Sequence, residues 1–324
     1  MKVSVVIPAF NARGTIRKTV SASLAQATGS LEVEVIVVDD GSSDDTAEVA
    51  ESAGARVIRQ DNAGPASARN TGWQSAKGRF ICFTDADCIP SADWVLNLLE
   101  GFTDTHIGVV AGSYDIANSN SWLARWVHWE IMRRHGRMPT SVRAFGSYNV
   151  AIPRYVLEAT GGFDPAYRSA SGEDNDLSYR ILKAGWHIAF RPRVKVAHRH
   201  PEKLWRYLRE QYRHGFWRAK LYKEHPDMVG GDDYTLLRDR VEPALILGIA
   251  GCAALTLLGI TSLFWPFFII LVVYTCIHLS WPLSWWLGRG TIDALPYAGV
   301  TFMRGFARTL GLCAGILRFG LQLA

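Results

Sequence analysis

Between Ala244 and Gly288 the chain carries no Asp, Glu, Lys or Arg, and His278 is the only side chain there that titrates near neutral pH. One bilayer crossing needs about 20 apolar residues, so this stretch has room for two. It divides into segments 243–262 and 265–287, with Leu263-Phe264-Trp265-Pro266 as a minimal outer hairpin. Arg238 and Arg240 precede the first segment and Arg289 follows the second, which predicts that both ends lie inside. A soluble buried hairpin is the alternative, and so long a chargeless run argues against it. The last stretch, 292–323, is apolar but holds Arg304, Arg308 and Arg318 at helical spacing. It reads as an interfacial or re-entrant helix, with a third crossing as the alternative.

The rest of the 324 residues has the mixed composition of a globular domain. A net charge of +5 raises the question of nucleic acid, but the basic residues gather between Arg199 and Lys223, just before the apolar run. That position favours a membrane surface and no nucleic-acid partner. Residues 201–240 are therefore expected to be a basic, aromatic interfacial segment between a domain at 1–200 and a membrane region at 241–324. Trp122, Trp126, Trp129 and Met132 also recur near helical spacing, either as a lipid-touching face or as a core stripe with a solvated basic face beside Arg133 and Arg134. Five cysteines form no metal-ligand spacing, which fits a reducing compartment. The apolar run Val3–Ile7 reads as a buried strand and not a signal peptide, so residues 1–200 are expected to be cytoplasmic.

Within residues 1–100, apolar strand-length runs alternate with helical patterns: Val3–Ile7, Val33–Val38, Ala55–Arg59 and Phe80–Thr84. This predicts a parallel sheet with helices on both faces. Each run except the third ends in a polar or acidic loop, at Asn11, Asp40 and Asp85/Asp87. Ligands of open α/β sheets bind beyond the carboxyl ends of the strands. The spacing Asp85-Ala86-Asp87 there offers hard oxygen ligands to Mg²⁺ or Mn²⁺, which in turn hold phosphate oxygens. No glycine-rich dinucleotide or phosphate-loop fingerprint is present.

Taken in order, VSVVIPAFNA, VIVVDDGSSDDT, NAGPASARN, FTDADC, GSYNVAIPR, ATGGFD and GEDNDLSYRILKAGW resemble the family 2 glycosyltransferases across roughly the first 200 residues. The resemblance implies the glycosyltransferase-A fold, a mostly parallel α/β sheet. It also implies transfer of sugar from a nucleotide-diphosphate donor, usually with inversion and a divalent metal. On the donor side it implies roles for Pro8, Ala9, Asn11, Asp40, Gly64, Arg69 and Asp85, with Asp40 on the base. Asp87 matches the direct metal ligand, Asp85 its surroundings, and His198 a histidine that completes the shell in some relatives. Gly146, Asn149, Gly162, Phe163 and Arg213 fall on the acceptor side.

An inverting transfer needs a base for the attacking hydroxyl. The family's acidic pair matches Glu173-Asp174, with Asp174 as the base. Acidic residues in the first turn of a helix also suit its dipole, which is the purely structural alternative. Gln211 to Trp217 does not fit the Gln-x-x-Arg-Trp signature of processive synthases, so single-sugar transfer is expected. The membrane segments point to a polyprenyl-linked or other lipid-linked acceptor at the inner membrane.

Overall fold

The structure, a computed structural model, describes residues 1–289 and 294–320. The ends of the expected last helix, 292–293 and 321–323, lie outside the described residues. In order the chain forms β1 (Lys2–Ala9), α1 (Ile16–Leu24), β2 (Glu32–Asp39), α2 (Thr46–Ser52), β3 (Arg56–Arg59), α3 (Pro65–Ser75), β4 (Phe80–Thr84), β5 (Cys88–Pro90) and α4 (Trp94–Leu99). There follow β6 (Ile107–Ile116), α5 (Trp122–His135), β7 (Ser141–Val142), β8 (Asn149–Pro153), α6 (Arg154–Thr160), α7 (Glu173–Lys183) and β9 (His187–His198). Four long helices come last: α8 (Leu204–Glu224), α9 (Leu237–Leu257), α10 (Phe264–Arg289) and α11 (Ala294–Phe319).

The strands form a sheet in the order β3-β2-β1-β4-β8-β6-β9-β5, with β7 also on β9. The first four strands pair in parallel, as the alternation predicts. Strand β8 then enters antiparallel between β4 and β6, which the local pattern does not reveal. Period-two alternation sends Val3, Val5 and Ile7 to one face of β1 and Val6 to the other, giving two apolar cores. Burying such surface at roughly 25 cal/mol per Å² is the main force holding the layers together.

The chain divides into two compact units. One comprises 1–120, 127–200 and 232–234; the other comprises 121–126, 201–231 and 235–324. One boundary between the units falls between His200 and Pro201. The return of 232–234 is not expected from the sequence. Asn175 donates to Asp232 at 3.0 Å, the Arg143 N–H donates to Asp233 at 2.6 Å, and the Arg134 guanidinium lies 4.9 Å from the Tyr234 ring centroid. Arg134 also pairs with Glu130 at 3.0 Å and is buried. The basic face of α5 is therefore not wholly solvated, and along its apolar stripe Trp126 is buried while Trp122 is exposed.

In the second unit, α9 begins at Leu237, and Pro243 lies inside it instead of starting it. The charged residues 238–240 join the helix because the Asp239 carboxylate accepts the Leu236 N–H at 2.9 Å and closes its first turn. Among the described residues, three helices are long and apolar enough to cross a membrane, over Leu237–Leu257, Thr261–Leu287 and Pro296–Phe319. Helix α11 packs along α8 through small residues. A Cβ added at Gly215 would lie 2.0 Å from the Arg308 carbonyl oxygen, and one at Gly311 would lie 2.0 Å from that of Tyr212. Gln211 accepts from Arg308 at 2.7 Å, and Lys223 donates to the Phe319 carbonyl at 2.6 Å. Residue numbers rise together along both helices, so the two run parallel.

Candidate active site

Strand β4 delivers Asp85 and Asp87 at its carboxyl end, and the antiparallel pairing of β5 with β9 sets Cys88 opposite His198. This register brings His198 Nε2 to 3.6 Å from Asp87 Oδ2. That gap is too long for a hydrogen bond and suits two ligands of one ion. The Cys88 thiol belongs to the same cluster, whose donor atoms lie within 4.8 Å of one another. Burial, helped by the Asp87 and Asp85 charges, raises the thiol well above its usual range and keeps it protonated. The remaining oxygen and imidazole donors fit Mn²⁺ or Mg²⁺.

Arg69, on α3, is 2% exposed and joins two distant segments. Its guanidinium donates to Asp85 at 2.8 Å and to Glu173 at 2.9 Å. The Phe163 ring lies 5.5 Å from that guanidinium and packs edge-on to Phe83. Both NH₂ groups are thus engaged by carboxylates, and Arg69 is not a cation turned freely toward a nucleotide. Its Nε and the Thr84 hydroxyl are buried polar atoms with no hydrogen-bond partner among the described residues. Orphaned polar atoms at a strand's carboxyl end are what a ligand site looks like before its ligand is bound.

Glu173 is buried, and its second oxygen accepts the Ser171 N–H at 2.7 Å. It anchors Arg69 and the start of α7 through both carboxylate oxygens. Asp174, next in the chain, accepts the adjacent Asn175 N–H at 2.9 Å through its carboxylate. Burial first, and then the Glu173 charge, raise its carboxyl to about 7. Asp85, Glu173 and Asp174 all act on the one Arg69 guanidinium, and Asp87 lies two residues beyond Asp85. Such an excess of negative charge favours a bound cation.

The donor-side residues divide by what their side chains touch. Asp40 accepts from Gln60 at 2.7 Å, the Ala63 N–H at 2.9 Å and the Gly64 N–H at 2.9 Å. These bonds shape the turn into α3. Gly64 sits at φ +92°, and a Cβ there would lie 2.7 Å from the Arg168 carbonyl oxygen. Asp40→Ala leaves two buried N–H groups unpaired and is expected to lower stability by about 1–3 kcal/mol, read as a shift in denaturation midpoint. An unchanged midpoint would return Asp40 to ligand binding. Asn11 adopts a left-handed conformation, φ 51°, and its side chain accepts from Ser43, tying the β1 and β2 loops together. Pro8 and Ala9 belong to β1, and Ala9 is buried in the core, so only its backbone reaches the strand end.

Two residues expected on the acceptor side, Asn149 and Phe163, are buried. Asn149 is wholly buried and fully engaged: it donates to the Ser113 and Val194 carbonyls at 2.8 and 3.0 Å and accepts from Trp94 at 2.8 Å. Phe163 is a core residue behind Arg69. Gly146 is packed against the Tyr148 ring, and Gly162 against Asn70 and Trp73. Arg213 is exposed on α8, in the other unit.

Sequence reading passes over a set of rings beside the ion cluster. Tyr114 stacks on Tyr148 with centroids 3.5 Å apart and lies 4.9 Å from His198. Burial holds the His200 and His128 imidazoles below their usual range, so both are neutral near pH 7. The spacing of His198 and His200 on one strand face is the signal that could have found part of this set.

Residues 4–156 match the family model described as glycosyl transferase family 2. The chain is 32% identical over 223 residues to the probable glycosyltransferase YdaM of Bacillus subtilis, covering 63% of this chain and 52% of that protein. It is 37% identical over 133 residues to the Escherichia coli UDP-Glc:alpha-D-GlcNAc-diphosphoundecaprenol beta-1,3-glucosyltransferase WfgD, covering 39% and 50%. The chain thus spans about half the length of these curated relatives. The mannosyltransferase PcManGT from Pyrobaculum calidifontis, solved with GDP-Man and Mn²⁺, shares the fold with a TM-score of 0.58 at 19% identity, over 98% of this chain and 86% of that one.

Proposed function

We propose that the chain, whose residues 4–156 match the glycosyl transferase family 2 model, transfers a single sugar, with inversion, from a UDP- or GDP-linked donor to a lipid-linked acceptor. The acceptor atom is a hydroxyl or phosphate oxygen, and the product enters cell-envelope polysaccharide or glycolipid synthesis. One observation supports this reading: Arg69 pairs with both Asp85 and Glu173, which ties the Asp-x-Asp loop to the start of α7.

Asp87 and His198 would hold the divalent ion, with Asp85 beside them. The ion supplies positive charge to the departing nucleotide diphosphate. Where the acceptor atom is a hydroxyl, Asp174 takes its proton as the oxygen attacks the anomeric carbon. A carboxyl raised to about 7 is a stronger base than an ordinary aspartate, and a substantial fraction of it is still ionised near neutral pH. Arg69 and Glu173 position the two ends of this arrangement and touch no reacting atom.

Two of the apolar helices are read as crossings with the catalytic unit cytoplasmic, and α11 as interfacial. Membrane attachment and the acceptor named for WfgD both favour a diphosphopolyprenol-type substrate. To test the function, the full chain in membranes is given labelled UDP- and GDP-sugars, Mn²⁺ and a lipid extract, and the product is weighed. One added sugar supports the proposal. A ladder of sugars would identify a processive synthase, and donor binding without any product would identify a non-catalytic scaffold.

His198→Ala is expected to raise the Mn²⁺ concentration for half-maximal activity about 10-fold or more, since one ligand of the ion is lost. An unchanged metal titration would return His198 to a structural role.

A further inference from the structure

Beyond His198, two more histidines continue from the ion cluster into the protein. His198 Nδ1 lies 3.1 Å from His200 Nδ1, and His200 Nε2 lies 3.3 Å from His128 Nδ1. His200 is 2% exposed and His128 is 8% exposed, on α5. The His200 backbone is clamped from both sides by Asn118, whose side chain donates to the His200 carbonyl at 2.8 Å and accepts its N–H at 3.0 Å. Tyr114 lies edge-on to His200, at 5.7 Å between centroids.

These three imidazoles do not form a metal cage of their own. His200 turns one nitrogen to each neighbour, so no single point is faced by a nitrogen from all three. They do form a line with a direction. A neutral imidazole has one N–H and one lone pair, and a contact between two ring nitrogens needs one of each. If the His198 Nε2 lone pair faces the cation, its Nδ1 carries the proton and donates to His200 Nδ1. His200 must then carry its own proton on Nε2 and donate to His128 Nδ1. Both contacts in the line are satisfied by this assignment. Reversing it places the proton on His198 Nε2, where it blocks the cation.

We propose that His200 and His128 are positioning residues, a one-way hydrogen-bond relay that fixes His198 in the tautomer whose Nε2 lone pair faces Asp87 and a divalent cation. This rests on the reading of Asp87 and His198 as ligands. Partners that orient a ligating histidine commonly contribute about 10- to 100-fold in metal affinity.

The full chain in detergent is titrated with Mn²⁺ alone, and free Mn²⁺ is read by electron paramagnetic resonance. His200→Phe keeps a buried ring of similar size without nitrogens, and is expected to weaken binding about 10- to 100-fold. His200→Gln restores an acceptor toward His198 and a donor toward His128, and is expected to recover most of the affinity. Equal binding by wild type and His200→Phe, or failure of Gln to recover it, would overturn the relay while leaving the ion site intact. A wild type that does not bind, or binds no better than Asp87→Asn, would overturn the ion site and the relay with it. If His200→Phe does not fold, ¹⁵N-histidine spectra of the unaltered chain decide, with His198→Asn identifying the signal. A protonated Nδ1 and a bare Nε2 on His198 support the relay, and the opposite tautomer refutes it.

Discussion

Asp174→Asn should reduce turnover by about 10²- to 10⁴-fold, the usual contribution of a positioned general base, while leaving donor affinity in place. The amide matches the carboxylate in shape and cannot take a proton. The acidity of Asp174 gives this prediction a second reading. A base raised to about 7 must be ionised to work, so kcat/KM should fall tenfold per pH unit below about pH 7 in the wild type. Stability should run the other way. Asp174 binds its proton more tightly in the folded chain than in the unfolded one. The folded state is therefore penalised as pH rises from the unfolded value toward 7, and the penalty is complete above 7. Asn removes the charge and with it the penalty, so the variant should melt at a higher temperature than wild type at pH 8. The two should converge below about pH 4. An inactive variant that is more stable cannot be explained by misfolding. If turnover stays near wild type, another group is the base.

Arg69→Met is expected to be the most destabilising single change in the catalytic unit, by about 3–5 kcal/mol, because it leaves the carboxylates of Asp85 and Glu173 without their buried cation. The stem of methionine fills much of the space beside Phe163, so the loss comes from charge more than from packing. Glu173→Gln in the same background removes one of the stranded charges and should recover part of the stability. In a double-mutant cycle the coupling should be well above the few tenths of a kcal/mol seen for independent sites. Activity should not return with stability, because the loop carrying Asp85 and Asp87 remains unanchored. Strict additivity of the two changes would show that the 2.9 Å contact contributes little.

The carboxylates at the strand ends are legible from sequence because an apolar run that stops in acid has few other uses. What they touch is not. Asp40 and Asp87 occupy similar places after their strands. One is folded back onto the 62–64 turn and the other stands beside His198, a difference set by loop geometry and not by residue type. Arg69 and Glu173 are separated by more than a hundred positions, so their pairing leaves no local trace. Asn149 and Phe163 look like loop-borne recognition residues in a motif, but the entry of β8 between β4 and β6 drives Asn149 into the interior. The tight seam between α8 and α11 was available in principle, since Gly311 and Gly315 have the four-residue spacing of close helix contact.

That seam has a consequence for how deep the chain sits. With backbones touching at Gly215 and Gly311, the final three turns of α11 cannot change depth without taking α8 along. Helix α8 brings Arg213, Arg218, Lys220 and Lys223 with it. Sinking each to the middle of a bilayer costs about 2.5–3.5 kcal/mol on insertion scales, and several costs of that size outweigh what the apolar side chains of α11 could return. The pair should ride at the headgroups like a float, and α8 sets the waterline.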